Sequence, residues 1–283
     1  MSGATETAAP LFVVGVDDSD SARHAAEWAA EVAAAWAAPL RLVHAASADL
    51  AEDPRWLREL RDAVERTGVE NVESRIVARP ATDELIDGSR GAGMVVVGSY
   101  GEGSRSGMLA GSTALSLVEA AACPVAVVRG STPGLPPPRR GSVVVGVDPG
   151  DVGDRDTALH TAAALAVAFG ARLSVLHAWS DVVEQGRGLH RSATSGTELA
   201  ARAVELVDAH LGPLYEVYPG LGVERHVVDD TALRALLEQA SAARAVVVGH
   251  RRGNGTVRRL GSTSKGLVAF APCPVVVTRA GGG

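Results

Sequence analysis

LFVVGVDDSDSARHAAEWAAEVAAAWAAPLRLVHA, residues 11–45, reads as a buried strand, a turn opening on Asp17, an Ala-rich helix and a second strand ending in His44-Ala45. The apolar run before the Asp is continuous rather than alternating, the pattern of a strand covered on both faces. Helical periodicity then covers Ala22 to Ala37. Two such strands joined through a helix lie parallel, connected by a right-handed crossover.

The unit occurs twice. SVVVGVDPGDVGDRDTALHTAAALAVAFGARLSVLHA, residues 142–178, repeats it element by element. A later segment starting at Met94, MVVVGSYGEGSRSGMLAGSTALSLVEAAACPVAVVR, is matched from Ala245 by AVVVGHRRGNGTVRRLGSTSKGLVAFAPCPVVVTR. A long, ordered, asymmetric self-similarity of this kind marks internal duplication. Asp17 and Asp148 stand 131 positions apart while Cys123 and Cys273 stand 150 apart, so the second copy carries about 19 extra residues. The polar, Gly-containing stretch Asp181–Thr197 is the expected place for them, with helical periodicity resuming over Leu199–His210. STPGLPPPRRG, residues 131–141, reads as a short semi-rigid linker, since its prolines favour extended backbone and lack amide donors. The expected architecture is therefore α/β: two tandem doubly wound five-stranded parallel sheets with helices on both faces, over residues 1–130 and 142–283. Pro124 and Pro274 are placed at the starts of the last strands, where a missing N–H is tolerated.

Composition agrees with two domains and excludes several functions. The 283 residues are 46% hydrophobic but only 4% aromatic, so the cores are built from Ala, Val and Leu. A net charge of −6 with no basic block argues against a nucleic-acid surface. No apolar run approaches the roughly 18 to 20 residues of a membrane span, and residues 1–10 lack the regions of a signal peptide, so a cytoplasmic location is expected. The two cysteines occupy equivalent places in the repeat, which duplication explains better than a disulfide.

Ligands of open parallel sheets gather beyond the carboxyl ends of the strands, near the point where strand order reverses. After the VVVG strand come Gly98-Ser99-Tyr100-Gly101, with Gly103 following, and then Gly111-Ser112-Thr113 opening a helix. Glycines permit positive φ and close approach of a ligand, and a helix N-terminus offers unpaired N–H groups beside the positive end of its dipole. Ser112 and Thr113 are placed either to cap that helix or to donate hydroxyls to phosphate. The loop is neither a GxxxxGK[ST] string nor a first-strand dinucleotide fingerprint. On the residues alone it reads either as a polyphosphate site or as a strand-to-helix turn.

The spacing G-x2-G-x9-G-[ST] at Gly98, Gly101, Gly111 and Ser112 resembles the nucleotide-binding signature of the universal stress protein family. The Asp directly after the first strand and the Cys-Pro-Val starts of the last strands resemble that family too, over nearly the whole chain in tandem. The resemblance implies ATP, with Mg2+, as ligand and a sensor or regulatory role in stress and dormancy. It makes Gly15 and Asp17 nucleoside contacts, places Val43 beside the adenine, and wraps the glycine loop around the phosphates. In the second copy the corresponding residues are Gly146, Asp148, Leu176, Gly249, Gly261, Ser262 and Thr263. That copy departs in its loop, which is one residue shorter. There either Arg252 replaces a motif glycine or Gly253 fills the role, with Arg251, Arg258 and Arg259 close in sequence. These arginines read as a retuned anion site or as a solvated face of a decayed one. The resemblance further implies association through the last strands, as a homodimer or between halves, and an unspecified regulatory protein partner.

No nucleophile is paired with a base in this sequence. Gly103-Ser104-Arg105-Ser106-Gly107 puts Arg where a GxSxG serine would stand, and neither HExxH nor CxxC occurs. Adenylyl-transferring enzymes of similar architecture carry an HxGH-like string where this chain has Asp17-Asp18-Ser19. His44 and His177, at matching strand ends, read as packed or capping residues bordering the adenine. Binding without catalysis is the expectation. Slow hydrolysis through a Mg2+-bound water needs no such base and stays open. The alternative of another class is a nucleotide-independent module that pairs through its edge strands.

Overall fold

The computed structural model describes residues 9–46, 52–101, 110–132, 135–148, 157–179, 196–250 and 260–279. The chain divides into two compact units, Met1–Arg129 and Gly130–Gly283. The segment read as a linker thus groups with the second unit, where Leu135 N–H closes a turn on Thr132 C=O at 3.2 Å.

In the first unit the strands are β1 (Leu11–Gly15), β2 (Leu40–Ala45), β3 (Val72–Val77), β4 (Ala92–Gly98) and β5 (Val125–Val128). They lie in the order β3-β2-β1-β4-β5, and every pairing is parallel. The chain runs outward from β1 to β3 and then returns to β4. The helices are therefore wound on both faces, as the sequence led us to expect. On one face α1 (Asp20–Ala35) packs on β4 and against α2 (Arg55–Glu65), and on the other α3 (Ala81–Gly88) packs against α4 (Ser112–Ala120). Ala25, Ala26, Ala29, Ala30 and Ala33 are fully buried along α1. Methyl side chains let the helix lie close to the sheet, which explains how a chain poor in aromatics fills its core. Phe12 meets Trp36 edge-on at 5.5 Å and so closes the amino end of this layer.

The second unit repeats the plan. Its strands β6 (Val143–Gly146), β7 (Leu173–Trp179), β8 (Val223–Asp229), β9 (Ala245–Gly249) and β10 (Val275–Thr278) lie in the order β8-β7-β6-β9-β10, again all parallel. The helices are α5 (Thr157–Ala168), α6 (Gly196–Val217), α7 (Ala232–Ala240) and α8 (Ser262–Phe270). Part of the extra length lies in α6, which has 22 residues against 11 in its counterpart α2. The expectation of a longer loop alone is corrected accordingly, because the helix continues through Gly212-Pro213 to Val217. Proline lacks an N–H and crowds the preceding turn, so this pair reads as a stop in sequence. Leu211 and Leu214 on either side of it are fully buried, and that packing carries the helix across.

Cys123 and Cys273 are both buried, and no disulfide joins them. Each precedes a proline whose carbonyl accepts a bond from the neighbouring strand, Val95 N–H to Pro124 O and Val246 N–H to Pro274 O, both at 2.9 Å.

Candidate functional site

Strand register assembles the first unit's site. Gly15, the last residue of β1, lies beside Val43 on β2 and Val97 on β4, at the point where the strand order reverses. The chain leaving β1 therefore emerges next to the chain leaving β4. Val16 N–H still bonds Val43 C=O at 2.9 Å, and Asp17 follows at once.

Asp17 is held by its own turn. Its Oδ1 accepts hydrogen bonds from Ser19 N–H (3.2 Å) and from the Ser19 hydroxyl. Ser19 Oγ in turn accepts from Ala22 N–H at 3.2 Å, as the N-cap of α1. The cap is thus Ser19, and Asp17 braces it through a two-residue Asx turn. The other carboxylate oxygen, Oδ2, is turned toward the loop after β4, where a Cβ on Gly101 would stand 2.5 Å from it.

Packing of the protein itself, more than φ, explains the motif glycines. Gly98, Gly101 and Gly111 lie outside the positive-φ region, which among the described residues is taken by Gly68, Gly141, Gly170 and Ala37. The expectation of left-handed glycines is corrected for these three positions. A Cβ on Gly98 would strike the Ser21 backbone, at 2.7 Å from its carbonyl carbon and 2.8 Å from its oxygen. Gly98 therefore lets the first turn of α1 lie against the end of β4. Ser21 Oγ also accepts from Tyr100 N–H at 3.4 Å. Gly15 has a comparable reason, since a Cβ there would stand 2.7 Å from Leu85 of α3. Gly111 differs: among the described residues the nearest atom to its Cβ would be Ser99 O at 3.6 Å, ordinary contact distance. These residues leave room at this glycine.

Ser99 pins both ends of the loop. Its N–H bonds Val128 C=O at 3.1 Å and its own C=O accepts from Gly111 N–H at 2.7 Å. Gly111 is then the N-cap of α4 and carries no side chain to cap it, which places Ser112 and Thr113 inside the first turn. The capping alternative for these two hydroxyls is corrected by that assignment. The first N–H groups of the helix have no intrahelical acceptor and no cap from the Gly111 position, beside the positive end of its dipole.

The second unit retains the frame. Gly146 pairs with Leu176, Val147 N–H bonds Leu176 C=O at 3.0 Å, and Asp148 is exposed directly beyond. A Cβ on Gly146 would meet Leu236 of α7 at 3.2 Å, the counterpart of Gly15 and Leu85. Gly249 closes β9 beside Thr278, and His250 N–H bonds Thr278 C=O at 2.8 Å, as Ser99 does with Val128. Gly261 is the N-cap of α8 without a side-chain cap, followed by Ser262 and Thr263. Gly103, Gly253 and the four loop arginines lie outside the described residues.

Residues 12–129 and 140–279 each match the universal stress protein family. The chain belongs to this family. The universal stress protein Rv2623 of Mycobacterium tuberculosis is 34% identical over 293 residues, covering 95% of this chain and 96% of that one. A second universal stress protein of that organism, Rv2005c, is 35% identical over 290 residues, covering 94% and 96%. Among solved structures, a universal stress protein from Archaeoglobus fulgidus aligns over 96% of this chain and 99% of its own, with a TM-score of 0.64 at 17% identity. At that identity the likeness speaks for the fold alone.

For a universal stress protein of tandem type, the strand ends therefore bring together in the first unit Gly15, Asp17, Val43, Gly98, Ser99, Gly101, Gly111, Ser112 and Thr113. Val43 is almost fully buried, and its C=O accepts from Val16 N–H. Sequence reading missed Ser19 and Ser21, although an Asp followed two residues later by Ser is itself the Asx-turn pattern. Among the described residues no helix is long and apolar enough to cross a membrane.

Proposed function

We propose that this universal stress protein binds an adenine nucleotide, ATP with Mg2+, at the carboxyl edge of β1 and β4 in its first unit, and acts as a nucleotide-dependent sensor or regulator in stress and dormancy responses. One observation carries the reading: a carboxylate latched by Ser19 faces Gly101, while Gly111, bonded to Ser99 C=O, opens α4 with no capping side chain of its own. A carboxylate accepts hydrogen bonds from ribose hydroxyls, while helix N–H groups and room at a glycine suit phosphate oxygens. The residues present thus fit the nucleotide, and Mg2+ would arrive with its phosphates.

The reading is one of binding, not turnover, because the sequence carries no GxSxG, HExxH or CxxC string that would pair a nucleophile with its base. A ligand that binds only the folded state stabilises it, by about 2.7 kcal/mol at a hundredfold excess over Kd. Thermal denaturation with and without Mg-ATP is the test, joined to mass spectrometry of nucleotide retained through purification. An unchanged melting midpoint at millimolar Mg-ATP sinks the proposal.

The second reading is association through the last strands, as a homodimer or between halves. It draws on β5 and β10 each ending the strand order of its own unit. Light scattering with and without ATP separates nucleotide-controlled from constitutive assembly.

A further inference from the structure

In both units the first two strands end in the same way. The last main-chain bond of each pair runs from Val16 N–H to Val43 C=O and from Val147 N–H to Leu176 C=O. At the next step a side chain takes over. His44 Nδ1 lies 3.1 Å from Val16 O, and His177 Nδ1 lies 3.0 Å from Val147 O. A carbonyl oxygen only accepts, so in each case the ring nitrogen carries the proton and donates. The bond recurs although 28 positions separate its partners in the first unit and 30 in the second. It therefore belongs to the end of the strand pair and not to the length of the intervening helix.

The carbonyl so held is one edge of the peptide plane that joins Val16 to Asp17, or Val147 to Asp148. With the preceding N–H also bonded to β2 or β7, that plane cannot rotate without breaking a bond. Its orientation sets the direction in which the aspartate leaves the strand. In the first unit the indole of Trp56, in the first turn of α2, meets the His44 ring edge-on at 4.9 Å and 88° and fixes the ring plane.

We infer that His44 and His177 are positioning residues for the nucleotide site: each donates its Nδ1–H to the carbonyl preceding the aspartate and so aims that carboxylate. The inference rests on the reading that Asp17 binds the nucleotide.

The test compares full-length wild type with His44→Leu, which fills the volume without a donor, and His44→Asn, whose amide N–H stands near the Nδ1 position. Mg-ATP affinity is read by calorimetry beside the melting midpoint of the ligand-free protein. His44→Leu is expected to lower the ligand-free melting midpoint by leaving the Val16 carbonyl unmet, and to weaken binding at the first site about tenfold because a misaimed carboxylate forfeits part of a charged hydrogen bond. His44→Asn is expected to restore affinity to within about threefold of wild type, since it keeps that donor. Because the histidine acts through the aspartate, Asp17→Ala with His44→Leu binds no more weakly than Asp17→Ala alone.

Wild-type affinity in His44→Leu, an Asn variant no better than Leu, or losses that multiply in the double variant each overturn the inference. If His44→Leu does not fold, His44→Asn is compared with His44→Gln, whose amide reaches the Nε2 position instead; equal affinities then overturn it. Wild-type protein that fails to bind Mg-ATP removes both the site and this inference. Binding that is weakened in Asp17→Ala but intact in His44→Leu removes the inference alone.

Discussion

Gly98 and Gly101 belong to one sequence motif, yet alanine at the two positions should do opposite things. At Gly98 the new methyl would meet main-chain atoms of Ser21, with the carbonyl carbon at 2.7 Å and the oxygen at 2.8 Å. These atoms are fixed in the first turn of α1, so β4 or the helix must shift. Overpacking of this kind costs about 1–3 kcal/mol. For a unit of this size it lowers the melting midpoint by about 3–15 °C. Adding Ser21→Ala removes only the hydroxyl contact and should recover less than half of the loss, because the backbone contacts remain. At Gly101 the methyl would meet Asp17 Oδ2 at 2.5 Å, the end of a side chain that can swing away. The ligand-free protein should then lose at most about 1 kcal/mol through the weakened bond to Ser19. Mg-ATP affinity should fall about 10- to 100-fold, because hydrogen bonds to a charged group are worth about 1.5–3 kcal/mol. Calorimetry of unfolding and of binding on both variants reads the two effects separately. A Gly98→Ala protein as stable as wild type, or a Gly101→Ala protein that binds as wild type, refutes the assignment of these contacts.

Asp17→Ala should weaken nucleotide binding in the first unit without abolishing it, by the roughly 10- to 100-fold that hydrogen bonds to a charged group are worth, read by calorimetry. Gly111→Ala should cost no more than about 1 kcal/mol, from the poorer N-cap alone, since 3.6 Å to Ser99 O is ordinary contact, whereas Gly111→Val should weaken Mg-ATP by filling that room. Ser19→Ala removes the N-cap of α1 and should cost about 1 kcal/mol in chemical denaturation. It also unlatches Asp17, so affinity should fall in the same variant.

The fold was largely legible because buried parallel strands announce themselves as unbroken Val runs, and the duplication showed each run twice. Asp17 and the motif glycines were legible as positions, but their reasons were not. A glycine chosen for φ and one chosen for close approach look alike in sequence. Only the placement of Ser21 beside Gly98 and of Asp17 beside Gly101 separates them. The length of α6 was hidden by Gly212-Pro213, a local stop signal overridden by burial of Leu211 and Leu214. The bonds of His44 and His177 were hidden because they join residues 28 and 30 positions apart, beyond the reach of local pattern.

Ser99 fastens the loop after β4 at both of its ends, to Val128 on one side and Gly111 on the other. With its stem clamped to the sheet, the interior of such a loop can change in length or charge without disturbing a strand or a helix start. The loop after β9, one residue shorter and bearing four arginines in sequence, starts from the matching bond of His250 N–H to Thr278 C=O. Duplication thus supplies two such starting points, and the loop of one half can diverge while the other keeps its sequence.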